Sequence, residues 1–428
     1  MEAGSALKSF VEYTSEHHFP LENIPFGTFK NPETNETHCC TRIGDFVIDL
    51  AVLHDLGHFS GDHLKGENVF NHEFLNTFMA AGRPAWTEAR VTIQNLFAEG
   101  SSFASDEDGK SKTMFAFDKV EMTLPVNIKD YTDFYSSKHH AYNVGCMIRG
   151  PDNALQPNYT YLPVGYHGRS SSIVLSGTDV RRPKGQVSAD KKVPTWSDCK
   201  RLDFELEMGA YVGVGNELGK PIKISNSSDH IFGLSLLNDW SARDIQVWEY
   251  VPLGPFNAKN FASTVSPWII TLEALEPFKI AHQEQDPEPL PYLKEENPST
   301  YNIDLHVGIQ SESMDAPHEV CKSNFKHLYW NVNQQLTHHA VTGCNMSTGD
   351  FLGSGTISGP EKSERGCLLE LSWAGKEKIS LGNDEERVFL KDGDSVNMTG
   401  VCHGEGYTIG FGDCVGKVLP ALDDKDYF

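Results

Sequence analysis

No segment of this sequence approaches the roughly 20 consecutive apolar residues that a membrane-crossing helix needs, which argues against a membrane protein. Positive charge is scarce: 36 Lys and Arg stand against 59 Asp and Glu, a formal charge of -23. A nucleic-acid binder must neutralise phosphates with cationic side chains, so this balance argues against one as well. A small anionic substrate stays admissible, because a local cationic pocket can oppose the global field. No C-x-x-C pair occurs among the 9 cysteines, and the adjacent Cys39 and Cys40 suit neither a disulfide framework nor a zinc knuckle. Reduced thiols and a cytoplasmic location are therefore expected. Met1 to Tyr13, with Glu2, Lys8 and Glu12, lacks the apolar stretch of a secretory signal.

Missing motifs remove further classes. There is no H-E-x-x-H of a zincin and no G-x-S-x-G elbow of a serine esterase. Gly213-Val-Gly215-Asn-Glu-Leu-Gly219 misses the dinucleotide-binding spacing and reads as a hairpin turn. His54-Asp-Leu-Gly-His58, with His63 and His72 beyond, reads as loop histidines rather than a transition-metal set. Internal repeats and low-complexity tracts are also lacking.

What is present is ample core material for two domains: 428 residues, 39% hydrophobic, with 7 Trp, 14 Tyr and 24 Phe. Phe46-Val-Ile-Asp-Leu-Ala reads as a short strand, and Phe74 to Phe97 has the apolar spacing of a helix. The polar stretch Gly100 to Lys112 reads as a surface excursion, with a domain boundary shortly after it, near Glu121. Beyond, the texture is mostly β, punctuated by turns. Ser172–Ser176, Arg201–Tyr211, Tyr301–Ile309, Leu368–Trp373 and Ser395–Gly400 read as strands. Tyr131–Asn143, Ser241–Tyr250 and Asn324–His338 read as helices. The fold class expected is α+β and β-rich.

Three segments carry candidate chemistry. In Leu202-Asp203-Phe204-Glu205-Leu206-Glu207-Met208, strand alternation puts the three acids on one face. Like charges side by side need water, a cation or a raised pKa. A solvated sheet edge and a hard-cation site built from carboxylate oxygens both satisfy that. The second segment, Ile231 to Leu237, is nearly continuous apolar sequence ending at Asn238-Asp239, and an acid at the end of a buried strand needs a partner or a metal. Arg243, Gln246 and Tyr250 follow at helical spacing on one face. Asp239 can pair with Arg243, or that stripe can receive the oxygens of a dicarbonyl substrate. In the third, Asp130 reads as a helix N-cap, and Asp133 and His140 lie seven apart, on one face of the expected helix. An imidazole there would supply a base near neutral pH.

Taken together these segments resemble the fumarylacetoacetase family over nearly the whole chain. The resemblance is carried by Asp130-Tyr-Thr-Asp-Phe-Tyr-Ser-Ser, Leu162-Pro-Val-Gly-Tyr-His-Gly-Arg, Asp203-Phe-Glu-Leu-Glu-Met and Asn238-Asp-Trp-Ser-Ala-Arg-Asp-Ile-Gln. Glu249-Tyr-Val-Pro-Leu-Gly-Pro-Phe, Ser354-Gly-Thr-Ile-Ser-Gly, Leu369-Glu-Leu-Ser-Trp and the early His18-Phe-Pro-Leu-Glu-Asn-Ile-Pro-Phe-Gly add to it. It implies a small N-terminal β-barrel-like domain, residues 1–120, followed by a larger mixed β-roll catalytic domain, residues 121–428. It also implies a homodimer that hydrolyses a carbon–carbon bond in a small diketo acid, fumarylacetoacetate, at the end of phenylalanine and tyrosine breakdown.

By position, the resemblance implies Ca2+ held by Asp133, Glu205, Glu207 and Asp239. It implies Mg2+ close by, touched by Asp239 and the loop from Lys259 to Ser263, where relatives are expected to carry Thr at position 263. His140, oriented by Glu370, would activate water. Arg243, Gln246 and Lys259 would stabilise the oxyanion and the departing enolate. Tyr135, Arg149, Tyr166, Gln246, Tyr250 and Thr356 would hold the substrate. The rivals are an acylpyruvate hydrolase or decarboxylase of the same superfamily, and a calcium-binding β-protein without catalysis.

Overall fold

Phe26–Lys30, Thr37–Ile43 and Phe46–Asp49 place apolar and β-branched side chains where an antiparallel sheet can bury them. In the computed structural model, which describes residues 6–428, they pair in sequence order. Met114–Ala116 adds to Phe46–Asp49, and Glu121–Thr123 adds to Phe26–Lys30, completing a five-stranded antiparallel sheet. Met1 to Ser5, part of the N-terminal stretch without a secretory signal's apolar pattern, lie outside the described residues. No helix among the described residues is long and apolar enough to cross a membrane.

Several early expectations need correction here. The strand from Phe46 stops at Asp49, whose side chain accepts from Val52 N and starts the helix Leu50–Asp55. The long helix over Phe74–Phe97 is two, Asn76–Ala80 and Arg83–Phe97, divided where Gly82 takes φ 83 before Pro84. The polar excursion contains a 3-10 turn, Ser102–Ser105, and a helix, Glu107–Thr113, capped by Asp106. The cap Asp106, with the acids Glu107 and Asp108 in the first turn, starts a helix in sequence that reads as loop.

The second half is built on an eight-stranded mixed sheet. Its path runs Gly165–His167, Tyr131–Phe134, Phe351–Gly353, Leu206–Val212, Ile231–Asp239, Ser263–Val265 and Ile173–Leu175, with Ile270–Thr271 also pairing to Ile231–Asp239. Leu206–Val212 and Ile231–Asp239 are joined by a long connection, so Gly213–Gly219 is not the tight hairpin turn expected. A five-stranded sheet covers this one. It contains His318–Asn324, Asp304–Gln310, the long hairpin Ser395–His403 and Thr408–Leu419, and Val180–Arg181.

Between the layers lies a continuous apolar core that includes Leu234, Leu236, Trp240, Leu305, Val307, Met398 and Phe411. A second core joins Phe26, Phe78 and Trp86 of the N-terminal part to Tyr211, Phe232 and Phe351 of the large sheet. Burying large aromatic side chains across that junction welds the two parts together. The architecture is β-rich α+β, as expected.

Four more expected features differ in the structure. Tyr131–Asn143 is not one helix: Tyr131–Phe134 is a buried strand, and the helix is Lys138–Arg149. Pairing on both edges, to Phe351–Gly353 and Gly165–His167, claims Tyr131–Phe134 for the sheet. Ser137, not Asp130, caps the helix by accepting from His140 N. Leu368–Trp373 is a helical turn, Leu368–Leu371, rather than a strand. The third helix is Val332–Ala340, opened by a capping box between Asn331 and Gln334.

Candidate active site

The acid-bearing strand breaks in its middle. Leu202–Asp203 pairs with Ser241–Ala242, and Leu206–Val212 resumes in the large sheet. The break sends Asp203 one way and Glu205 and Glu207 another, so the three acids do not share one face as alternation predicts. All three are buried, which removes the solvated-edge reading. Glu207 lies opposite Leu237, and Asp239 ends its strand beside Glu205, whose carbonyl accepts from Asp239 N at 3.3 Å. Asp133 enters from the other side, because Tyr131–Phe134 runs parallel to Phe351–Gly353, with Asp133 opposite Gly353. Space at Gly353 is tight: a Cβ would meet Tyr131 Oη at 3.0 Å and Glu207 Oε2 at 3.1 Å.

Asp133, Glu205, Glu207 and Asp239 thus converge, each offering a carboxylate oxygen within 4.8 Å of the others. Lys259 Nζ bridges Glu205 and Asp239, and Ser263 Oγ donates to Asp239 Oδ1 at 3.1 Å. Glu249 Oε1 accepts from Phe256 N and Ala258 N, which anchors the loop that delivers Lys259. Arg243 Nη1 pairs with Glu205 Oε1 at 2.8 Å and donates to Gln246 Oε1 at 3.2 Å, while its Nε donates to Asp203 Oδ2 at 2.8 Å. The Asp239–Arg243 pair considered from the sequence is not formed; Asp239 goes to Lys259 instead.

Electrostatics report a shortage of positive charge. Burial, and next the Asp239 carboxylate, push Asp133 well above the usual carboxylate range. Burial, and next Asp133, do the same to Glu207. Burial raises Asp239 to about 6 even against Lys259. Glu205 alone is held below its ordinary value, since Lys259 and Arg243 outweigh its burial. Asp133 Oδ1 and Glu207 Oε1 are buried without any hydrogen-bond partner. Four hard oxygens with one ammonium among them, and two oxygens unsatisfied, fit a divalent cation, and favour Ca2+ or Mg2+ chemistry over zinc. The cluster is a candidate metal centre.

Next to it stands a buried dyad. His140 Nδ1 lies 2.6 Å from Glu370 Oε2. Asn143 Nδ2 donates to Glu370 Oε1 at 2.8 Å, and Ser358 Oγ donates to Oε2 at 2.8 Å. Burial pushes Glu370 up, but His140 and these donors outweigh it and bring the carboxyl down to about 2. An ionised Glu370 can only accept, so it favours the proton on Nδ1, and in the neutral imidazole that leaves Nε2 as the acceptor. That is the arrangement of a general base.

Comparison with known proteins covers nearly the whole chain. The family model described as fumarylacetoacetase N-terminal matches residues 22–125, and that described as fumarylacetoacetate (FAA) hydrolase C-terminal matches residues 129–419. Proteins named fumarylacetoacetase from Dictyostelium discoideum and Homo sapiens are 54% and 52% identical, each alignment covering 97% of this chain and 99% of the relative. The chain belongs to the fumarylacetoacetase family. The fold of a fumarylacetoacetate hydrolase from Exiguobacterium antarcticum is also similar, with a TM-score of 0.53 at 15% identity, covering 93% of this chain and 99% of that one.

The other residues singled out for this fumarylacetoacetase-family chain fall at varied distances from the cluster. Tyr166 is cross-strand from Asp133. Tyr135 packs its ring edge to face on His140, with centroids 5.3 Å apart. Thr356 is buried one residue past Gly355, whose N donates to Glu207 Oε2 at 2.9 Å. Gln246 and Tyr250 are half-buried on and just after the helix Arg243–Glu249. Arg149 is exposed at the end of its helix, with Nε donating to Asn153 O at 3.0 Å. His54 Nε2 lies 2.8 Å from Leu64 O, and no metal-ligand group of the described residues includes His54, His58, His63 or His72.

Sequence reasoning missed Asn143 and Ser358. Asn143 stands three residues after His140 on one helix, so its face was readable from spacing. Ser358 lies in the Ser354-Gly-Thr-Ile-Ser-Gly segment, only 12 residues before Glu370, but nothing local shows that its hydroxyl reaches that carboxylate.

Proposed function

We infer that this chain is a metal-dependent hydrolase of 4-fumarylacetoacetate, releasing fumarate and acetoacetate in the last step of phenylalanine and tyrosine catabolism. The relatives' shared name supports the substrate. The observation that carries the chemistry is the buried His140–Glu370 dyad standing next to a four-carboxylate cluster.

In this reading His140 Nε2 takes a proton from water, and the water oxygen bonds to the carbonyl carbon beside the alkene. The resulting alkoxide collapses and breaks the carbon–carbon bond. The electron pair leaves with the acetoacetate fragment as an enolate, which takes back one proton at carbon. Glu370 keeps Nδ1 protonated and steadies the imidazolium as it forms. Arg243 spends Nε and Nη1 on protein partners, while its buried Nη2 has none and is free to donate to a developing oxyanion. Gln246 and Lys259 are assigned the same task, each such donor contributing about a hundredfold in rate. Tyr135, Arg149, Tyr166, Gln246, Tyr250 and Thr356 are assigned to substrate carboxylates and carbonyls.

Asp133, Glu205, Glu207 and Asp239 would hold Ca2+, and Asp239 with the Lys259–Ser263 segment would hold Mg2+. When bound, such cations stabilise negative charge on substrate oxygens without proton transfer. The division into a β-barrel-like part, residues 1–120, and a β-roll catalytic part, residues 121–428, belongs to the same proposal. So do a homodimer, supported by the resemblance, and a cytoplasmic location, supported by the cysteine pattern.

Purified protein incubated with fumarylacetoacetate should remove the substrate's absorbance. Turnover should fall on chelation and return with added Ca2+ or Mg2+. An unchanged substrate, with an acylpyruvate consumed instead, would move the chain to the rival activity of the superfamily.

A further inference from the structure

Asp203 is the one acid of its triplet that offers no oxygen to the carboxylate cluster, yet it is completely buried. Its Oδ1 accepts from Leu368 N at 2.7 Å, and its Oδ2 accepts from Leu369 N at 2.9 Å and from Arg243 Nε at 2.8 Å. Leu368 and Leu369 open the helical turn Leu368–Leu371 that carries Glu370. One carboxylate therefore holds two things at once: the turn that presents the partner of His140, and the guanidinium assigned to the oxyanion.

We propose that Asp203 is a positioning residue that sets the placement of the Glu370-bearing turn relative to Arg243. The inference rests on the hydrolytic reading of the site. Burying this carboxylate is costly, and Arg243 already has a carboxylate partner in Glu205, so charge pairing alone does not call for it. Geometry does. Three donors converge on two oxygens, which only an acceptor-only group can satisfy. An asparagine of the same size would turn an N–H toward Leu368 N or toward the guanidinium and push one of them away. A displacement of about 1 Å in a catalytic group costs on the order of a hundredfold in rate. Asp203 touches no substrate in this account; it acts through Arg243 and through Glu370.

The test measures kcat and KM for fumarylacetoacetate, thermal melting, and calorimetric Ca2+ affinity in the full-length protein and in Asp203→Asn, Arg243→Met and the double variant. Asp203→Asn is expected to lower kcat by about tenfold to a hundredfold, with KM and Ca2+ affinity moving less than about threefold. In the Arg243→Met background the same change should still lower kcat, but by a smaller factor, because one of its two arms is gone. An equal factor in both backgrounds would show that Asp203 does not act through Arg243, and no further loss in the Arg243→Met background would show that the Leu368–Leu371 turn does not depend on it. Either result overturns the proposal. Should Asp203→Asn alone not fold, comparing Arg243→Met with the double variant, in which both buried charges are gone, decides: further loss of kcat supports the assignment, and none overturns it. An unsubstituted protein that leaves fumarylacetoacetate untouched would instead overturn the hydrolytic reading, so the two failures are distinct.

Discussion

Tyr135 and His140 meet edge to face, with ring planes at 82°, although a continuous helix through both would send Tyr135 away from the acid at position 133. The contact exists because the strand ends at Phe134 and the helix starts only at Lys138. In between, Tyr135 N donates to Val164 O at 2.9 Å, and Ser136 N to Ser354 O at 3.1 Å. The corner is thereby tied down on both sides, and it brings the aromatic ring and the imidazole to the same wall.

His140→Ala is expected to lower kcat by about 10²–10⁴-fold, the ordinary contribution of a positioned base. Ca2+ affinity, measured by calorimetry, should stay within about threefold, because His140 belongs to the dyad and not to the four-carboxylate group. Parallel loss of both would make His140 a ligand.

Glu370→Gln should cost a similar factor, since a glutamine N–H aimed at Nδ1 favours the tautomer with the proton on Nε2. It should also change the pH dependence of stability. The folded carboxyl lies near about 2 against an ordinary 4.5, so it contributes stability above pH 4.5 that is lost as pH falls through 2. The melting-temperature gap between native protein and variant should be largest above pH 4.5 and close toward pH 2. A gap that widens in acid would contradict this account.

Glu205→Gln should weaken cation binding, and loading with Ca2+ should raise the melting temperature of the native protein more than that of the variant. Glu205 is the carboxyl of the four held most firmly in its charged form, by Lys259 and Arg243. An unchanged calcium titration would remove it from the metal centre.

Gly355→Ala should destabilise the fold by about 1–3 kcal/mol. The backbone there takes φ +80, and a Cβ would stand 2.3 Å from Phe134 O. The same strain would pull the Gly355 amide from Glu207, so cation affinity should fall with stability. A variant that melts with the native protein would show that the turn can relax.

Much of the acid chemistry was readable along the chain. The apolar run into Asp239 marked a buried strand end, and the spacing of Arg243 and Gln246 placed them on one helix face, where they do touch. In the Tyr131 region Asp130 and Asp133 imitate helix-start signals, while its true state depends on strands from residues 165–167 and 351–353. Leu368–Trp373 is similar: its four apolar residues look like a strand until Asp203 captures two of the amides.

By itself, then, the order of residues determined which side chains must escape water and which acids need a partner, since burial follows from local apolar pattern and every buried charge must be answered. Which acid meets which partner was decided only in three dimensions. Asp133, Glu207 and Asp239 come from three different strands, Glu205 from the break before the second of them, and Glu370 from a turn 230 residues beyond His140. Coulombic and hydrogen-bond energies depend on separations of a few ångströms, and those separations are set by sheet pairing and strand breaks that no local pattern records.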